Sequence, residues 1–71
     1  MRGHYPNLQD AMAKNNVSVT DLAELLGLNE ETVHDKLNCA LDWSLTEAVT
    51  ICGYLNQNNL KILFLRLDYK S

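Results

Sequence analysis

The stretch that decides the fold is Asp21-Leu22-Ala23-Glu24-Leu25-Leu26-Gly27-Leu28-Asn29. It predicts a helix that ends at Gly27, because a residue without Cβ is favoured in the tight turn after a helix. Gly27 and Val33 follow Ala23 by four and ten residues. Two helices that nearly touch need a small residue at their contact, a glycine at the turn and a branched core residue in the second helix. The stretch therefore predicts a helix-turn-helix.

The predicted helix-turn-helix covers about residues 18–38. Ser18 and Asp21 form an arrangement close to a capping box, so helix two is expected over about 18–26. Its expected buried face consists of Leu22, Ala23, Leu25 and Leu26.

Helix three is expected over about 29–38, with Asn29 as its N-cap. Two glutamates follow directly, and the helix dipole favours their charges by some tenths of a kcal/mol each. Only Val33 and Leu37 form an inward stripe. Most of this helix should therefore face solvent or a ligand.

Two further helices flank the pair. Pro6 supplies a helix-compatible φ, so helix one is expected over about 6–15. Ser44 and Glu47 form a full S-x-x-E capping box, which predicts helix four over about 44–55. The apolar residues after this box are Leu45, Ala48, Val49, Cys52 and Leu55.

The C-terminal segment fits two patterns. A helical stripe would consist of Leu60, Leu63, Phe64 and Leu67, and an alternating strand would consist of Leu63, Leu65, Leu67 and Tyr69. We favour a helix over about 58–66 on length and context. So apolar a terminus suggests a homodimer contact through the helical stripe, with plain core packing as the alternative.

Bulk properties indicate one domain. The chain has 71 residues, of which 46% are hydrophobic and 21% charged, so residues 1–71 have room for one core. The expected architecture is all-α, a compact bundle of four to five short helices. The longest apolar run, Ile62 to Leu65, is far short of the roughly 20 residues that span a bilayer, and no apolar secretory region precedes it. We therefore expect a cytoplasmic protein without a membrane partner.

No catalytic or metal site is predicted. Cys39 and Cys52 are expected to be free thiols, and neither His4 nor His34 has a second histidine or a cysteine three or four residues away. The sequence contains no phosphate loop and no Cys-His pair at a trusted spacing. We expect a protein that is not an enzyme and carries no cofactor and no metal.

The deciding stretch resembles the D-L-A-E-L-L-G-I-S segment of the Cro and phage-repressor (XRE) family. Three further strings are similar to family motifs: Tyr5-Pro6-Asn7-Leu8, Lys36-Leu37-Asn38 and Trp43-Ser44-Leu45-Thr46-Glu47-Ala48. The resemblance covers about residues 5–65 and implies a lambda repressor-like fold.

In that family, helix three enters the major groove, while helix two and the loop after helix three contact phosphates. The resemblance implies that bases are read by Asn29, Glu30, Glu31, His34, Asp35 and Asn38. Ser18, Thr20, Thr32 and Lys36 complete the expected DNA-binding set. Asparagine can pair with adenine, and a carboxylate can accept from the cytosine amino group.

The charge pattern differs from that of an ordinary nucleic-acid binder. Net charge is −3. The stretch from Asp21 to Glu47 contains seven acidic residues and only one basic residue, Lys36. Such a surface repels phosphates. In addition, Val19 stands where the family usually has a glutamine, and Cys39 replaces a glycine, which predicts a left-handed turn at about 1 kcal/mol of cost.

Two functions are therefore open. The first is a homodimeric transcriptional regulator that presents helix three to duplex DNA. The second is an acidic helix-turn-helix module that no longer binds DNA and engages a basic protein surface, as an antirepressor would.

Overall fold

The computed structural model describes residues 3–68. Its helices are α1 (Pro6–Lys14), α2 (Val19–Leu26), α3 (Glu30–Leu37), α4 (Leu45–Tyr54) and α5 (Leu60–Leu63). The predicted all-α bundle with a central helix-turn-helix is confirmed. No helix in this part of the chain has the length and apolar character needed to cross a membrane.

Capping residues set the starts of α2 and α4, as the sequence predicts. The Asp21 amide donates to Ser18 Oγ at 3.2 Å, and the Ser18 amide donates to the Asp21 carboxylate at 2.9 Å. Ser44 and Glu47 repeat this exchange at 3.1 and 3.0 Å. Each exchange satisfies two amides that the helix itself leaves without acceptors.

The core lies where the first four helices converge. Its fully buried large side chains are Leu8, Leu22, Val33, Ile51 and Leu55, which come from α1, α2, α3, α4 and the residue that ends α4. Among the described residues, no polar or charged residue is buried as a whole. Burial of apolar side chains therefore supplies the main favourable term in folding.

The apolar stripes of α2 and α4 differ in part from their sequence patterns. The prediction that Leu25 is buried is wrong, because this residue is 36% exposed. On α4, Leu45 is 73% exposed and Val49 is also on the surface, whereas Ile51 joins the core. A helix turns only one stripe toward its neighbours, and on α4 that stripe repeats at i, i+3, i+4 and i+7 from Ala48.

The C-terminal segment combines both predicted conformations. The predicted helix over 58–66 is wrong in extent, since α5 ends at Leu63 and a strand, β2 (Leu67–Asp68), follows. It pairs antiparallel with β1 (Gly3–His4). Because the two strands lie at opposite ends of the chain, no local sequence pattern predicts that they pair. Tyr69, the last residue of the alternating pattern, lies outside the described residues.

Burial within this segment also departs from the predicted dimer contact. Leu63 is 2% exposed and packs in the core, and Leu60 and Phe64 are partly buried against it. Only Leu67 of the predicted stripe is half exposed. Plain core packing, the alternative reading, therefore describes most of this stripe.

Candidate nucleic-acid interface

A left-handed glycine joins the two helices of the helix-turn-helix. Gly27 has φ 68° and ends α2. The Leu28 amide then donates to the Ala23 carbonyl at 2.9 Å, which closes the turn. Ala23 is buried, as expected for the small residue at the contact between α2 and α3.

Helix α3 lies on the core through two side chains. Val33 and Leu37 are buried, and these are the inward residues that the sequence predicts. Asn29 caps the helix, because its Oδ1 accepts from the Thr32 amide at 2.8 Å. The exposed residues of α3, which are Glu30, Glu31 and His34, are therefore available to another molecule.

Most of the predicted DNA-binding residues are exposed in the structure. Those that are exposed are Ser18, Thr20, Asn29, Glu30, Glu31, His34 and Asn38. Those that are partly buried are Thr32, Asp35 and Lys36. None of the ten is buried in the core.

Two of the exposed side chains in this set already have partners within the protein. Asn29 Oδ1 is used by the cap, so its amide nitrogen is the group left to donate to a base or a phosphate. Ser18 Oγ accepts from Asp21 in the same way, and its hydroxyl proton is left to donate. The starts of α2 and α3 thus each keep one side-chain donor that the cap does not use.

A shallow, mainly apolar groove of about 410 Å³ separates α1 from the helix-turn-helix. It is lined by Gln9, Met12, Ala13, Val17, Ser18, Val19, His34, Leu37 and Asn38. Val19, at the first position of α2, is half-buried beside it. The residue therefore packs against apolar neighbours instead of presenting a polar group to a phosphate.

Lys36 is oriented inward. Its side chain is only 12% exposed. The ammonium group donates to Glu47 Oε1 and to the Asp42 carbonyl, both at 2.9 Å, and lies 5.6 Å from the centroid of the Trp43 ring. The positive charge that was expected to contact a phosphate is thus already paired with Glu47.

Glu47 receives this ion pair at the start of α4. Burial by itself would raise the pKa of its carboxyl, but hydrogen bonds from Lys36 and from the Ser44 amide outweigh that effect and lower the pKa. Glu47 is therefore charged at neutral pH, and its side chain is 19% exposed.

The loop from α3 to α4 begins with the predicted left-handed residue. Cys39 has φ 63°, and the amides of Ala40 and Leu41 turn back to the Asp35 carbonyl at 2.8 and 3.2 Å. Further along, Trp43 packs edge-on against Phe64 with ring centroids 5.8 Å apart. Both ends of the loop are thus held by the body of the protein.

The other described cations lie away from α3 or are paired. Lys14 pairs with Asp10 at 3.0 Å, and Arg66 pairs with Asp42 at 3.8 Å. Lys61 is on α5. The exposed surface of α2 and α3 therefore carries acidic and polar side chains but no lysine or arginine.

The cysteines are free, as predicted, and both are buried. Burial raises the pKa of the Cys52 thiol. Burial and the neighbouring Cys39 thiol, which shares a hydrogen bond with Tyr5, raise the pKa of the Tyr5 hydroxyl. Within residues 3–68, no group of three or more His, Cys, Asp or Glu side chains could hold a metal ion.

Sequence reasoning did not find the link between Lys36, Trp43 and Glu47. The capping box signals the position of Glu47, but it carries no information on an ion pair eleven residues away. Only the turn of the loop brings α3 and the start of α4 together.

A family model described as a Cro/C1-type HTH DNA-binding domain matches residues 7–58. The matched region contains α2, α3, α4 and all of α1 except Pro6, together with Gly27 and the loop after α3. No significant match to a curated protein or to a solved structure was found.

Proposed function

The chain belongs to the Cro/C1-type helix-turn-helix DNA-binding family, and from that premise we propose a transcriptional regulator that binds duplex DNA as a homodimer. In this proposal the chain acts as one cytoplasmic domain without catalytic activity. Helix α3 lies in the major groove, and two copies present it to half-sites about 34 Å apart.

One observation carries the proposal: α3 buries only two side chains and is seated on α2 by a left-handed glycine. A rigid helix with a free outer side has the shape that the major groove admits. Because residues 7–58 match a DNA-binding family, duplex DNA is the ligand class that this geometry supports best.

We assign two roles to the exposed side chains. Hydroxyl donors near the helix starts approach phosphates: Ser18, Thr20 and Thr32. Side chains along the outer face of α3 approach base edges: Asn29, Glu30, Glu31, His34, Asp35 and Asn38. Carboxylates in this second set favour cytosine, whose amino group is a donor in the major groove.

The homodimer rests on exposed apolar side chains outside the helix-turn-helix. These are Leu45, Val49, Ile62, Leu65 and Leu67, which lie on α4, on α5, in the segment before β2 and in β2 itself. Burial of such side chains between two copies would stabilise a small domain. Sedimentation velocity over a range of concentrations should show a dimer that Ile62→Lys dissociates without loss of helix. A wild-type chain that stays monomeric at every concentration contradicts this part of the proposal.

The decisive test is a titration of random-sequence duplex at low salt, followed by selection of a preferred site from a randomised duplex pool. A regulator of this type should bind, and its affinity should fall steeply with salt, with a slope of about −0.9 for each phosphate contact. Weak binding that does not change with salt, whatever the sequence, contradicts the proposal.

Matched variants locate the surface. Glu31→Gln removes one negative charge from α3, and Glu24→Gln makes the same change on the exposed side of α2. Since α3 would approach the bases, Glu31→Gln should strengthen binding to random-sequence duplex more than Glu24→Gln does. Equal effects would place the duplex elsewhere.

A second candidate function is an acidic module that binds a basic protein surface. The position of Lys36 favours it, because the ion pair with Glu47 leaves the exposed surface of α2 and α3 without a lysine or arginine. Complementary charges would then steer a basic partner to this surface.

The two functions respond oppositely to one variant. Changing Glu30, Glu31 and Asp35 together to neutral amides should strengthen non-specific DNA binding under the first function and abolish the partner contact under the second. Binding of the wild type and the triple variant to duplex and to a basic peptide, measured side by side, separates them.

A further inference from the structure

We propose that Lys36 is a positioning residue of the DNA-binding surface: it fixes the loop between α3 and α4 against the start of α4 and makes no phosphate contact itself. The inference rests on the proposed DNA-binding function. It reverses the role that the resemblance to the phage-repressor family implies for this residue.

The ammonium group of Lys36 is surrounded by partners within the protein. Lys36 Nζ has the Asp42 carbonyl and Glu47 Oε1 at 2.9 Å each, with the face of Trp43 beside it. Two of the three N–H donors of the ammonium group are used by these oxygens, and the Trp43 ring adds a cation–π contact. A phosphate could be reached only by giving up these partners.

The carboxylate that accepts from Lys36 has a second structural role. Glu47 Oε1 also accepts from the Ser44 amide at 3.0 Å, so the same carboxylate that pairs with Lys36 caps α4. Both side chains of the pair are more than four-fifths shielded from solvent. Outward movement of Lys36 would leave a shielded carboxylate without its counter-charge.

The loop between α3 and α4 is held at both ends. One end is held by the bonds from Ala40 and Leu41 to the Asp35 carbonyl, and the other end is held by Lys36 through the Asp42 carbonyl. Within residues 3–68, the backbone amides of Asp42 and Trp43 donate to no acceptor. A loop held in this way can present those amides to a phosphate without further ordering.

The test compares DNA affinity over a range of salt concentrations for Lys36→Met, Lys36→Arg, Glu47→Gln and the double variant Lys36→Met with Glu47→Gln. Positioning predicts that Lys36→Met weakens binding about tenfold, the equivalent of about one lost hydrogen bond to phosphate, with an unchanged salt slope. Lys36→Arg should restore most of the affinity.

Glu47→Gln gives the sharpest contrast. Positioning predicts weaker binding even though a negative charge is removed, and a double variant no weaker than the worse single one. A direct phosphate contact predicts the reverse: a salt slope reduced by about 0.9 in Lys36→Met and tighter binding in Glu47→Gln. That result would overturn the inference. Lys61→Met, which removes the same charge from α5, is the matched control.

Amide hydrogen exchange in the free protein separates this inference from the proposed function. Lys36→Met should exchange faster than wild type at Ala40, Leu41 and Ser44, with helices α1 and α2 unchanged. If the wild type binds no duplex, the proposed function fails, and the exchange still decides whether Lys36 holds the loop. Unchanged exchange in the loop overturns the inference. Should Lys36→Met fail to fold, the same comparison is made with Glu47→Gln.

Discussion

The Leu28 amide donates a hydrogen bond of 2.9 Å to the Ala23 carbonyl, and this bond closes α2 at the corner of the helix-turn-helix. The residue between the last helical turn and Leu28 is Gly27, with φ 68°. A residue with a Cβ would be strained in that backbone conformation even though the space around it is open. The corner therefore depends on backbone freedom and not on side-chain size.

Two glycine substitutions separate backbone strain from steric clash. A Cβ added at Gly27 or at Gly53 meets no atom within 4 Å, and only Gly27 has positive φ. Gly27→Ala should lower the free energy of unfolding by about 1 kcal/mol, whereas Gly53→Ala, within α4, should raise it by about 0.5–1 kcal/mol. Urea denaturation measures both. If both substitutions changed the free energy of unfolding in the same direction, φ would not be the cause of the difference.

Cys39 allows a similar comparison at the end of α3. Its φ of 63° strains any residue with a Cβ, and its side chain is buried. Cys39→Ala keeps the strain and loses the sulfur contacts, while Cys39→Gly also relieves the strain. We expect the free energy of unfolding of the glycine variant to be about 1 kcal/mol higher than that of the alanine variant. Urea denaturation measures both. A more stable alanine variant would contradict this reading of the turn.

Neighbouring residues of α5 should respond differently to truncation. Leu63 is 2% exposed and Ile62 is 59% exposed. Leu63→Ala should cost about 2–5 kcal/mol, because it leaves a cavity in the core. Ile62→Ala should change the free energy of unfolding by less than about 0.5 kcal/mol. Thermal and urea denaturation at a concentration where the chain is monomeric check this, and similar losses at both positions would argue against the described orientation of α5.

Glu47 should contribute a pH-dependent part of the stability. Its pKa in the folded chain is lowered, so the contribution is present above the ordinary pKa of 4.5 and is lost as pH falls through the lower folded value. Glu47→Gln should therefore cost stability at pH 7 and progressively less in acid, measured by urea denaturation at each pH. Glu24→Gln controls for the loss of one charge. A cost that does not change with pH would rule out the ion pair as its source.

Sequence patterns predicted the parts of this fold that short-range chemistry controls. Ser18, Asn29 and Ser44 begin helices because each side chain bonds to an amide within the same turn. Gly27 ends a helix for an equally local reason. Val33 and Leu37 could be recognised as the inward stripe because α3 has no other apolar residue. The position of the helix-turn-helix and the exposed side of α3 were thus readable without coordinates.

Tertiary structure decided the features that depend on residues far apart in the chain. Leu45 and Leu63 are both apolar and both fit helical stripes, yet one lies on the surface and the other in the core. Their burial depends on which helices pack beside them. Lys36 has the sequence signature of a phosphate contact, but its orientation depends on how the loop brings Glu47 alongside α3. Local propensity acts within a turn of helix, whereas burial and ion pairing follow from how distant segments meet.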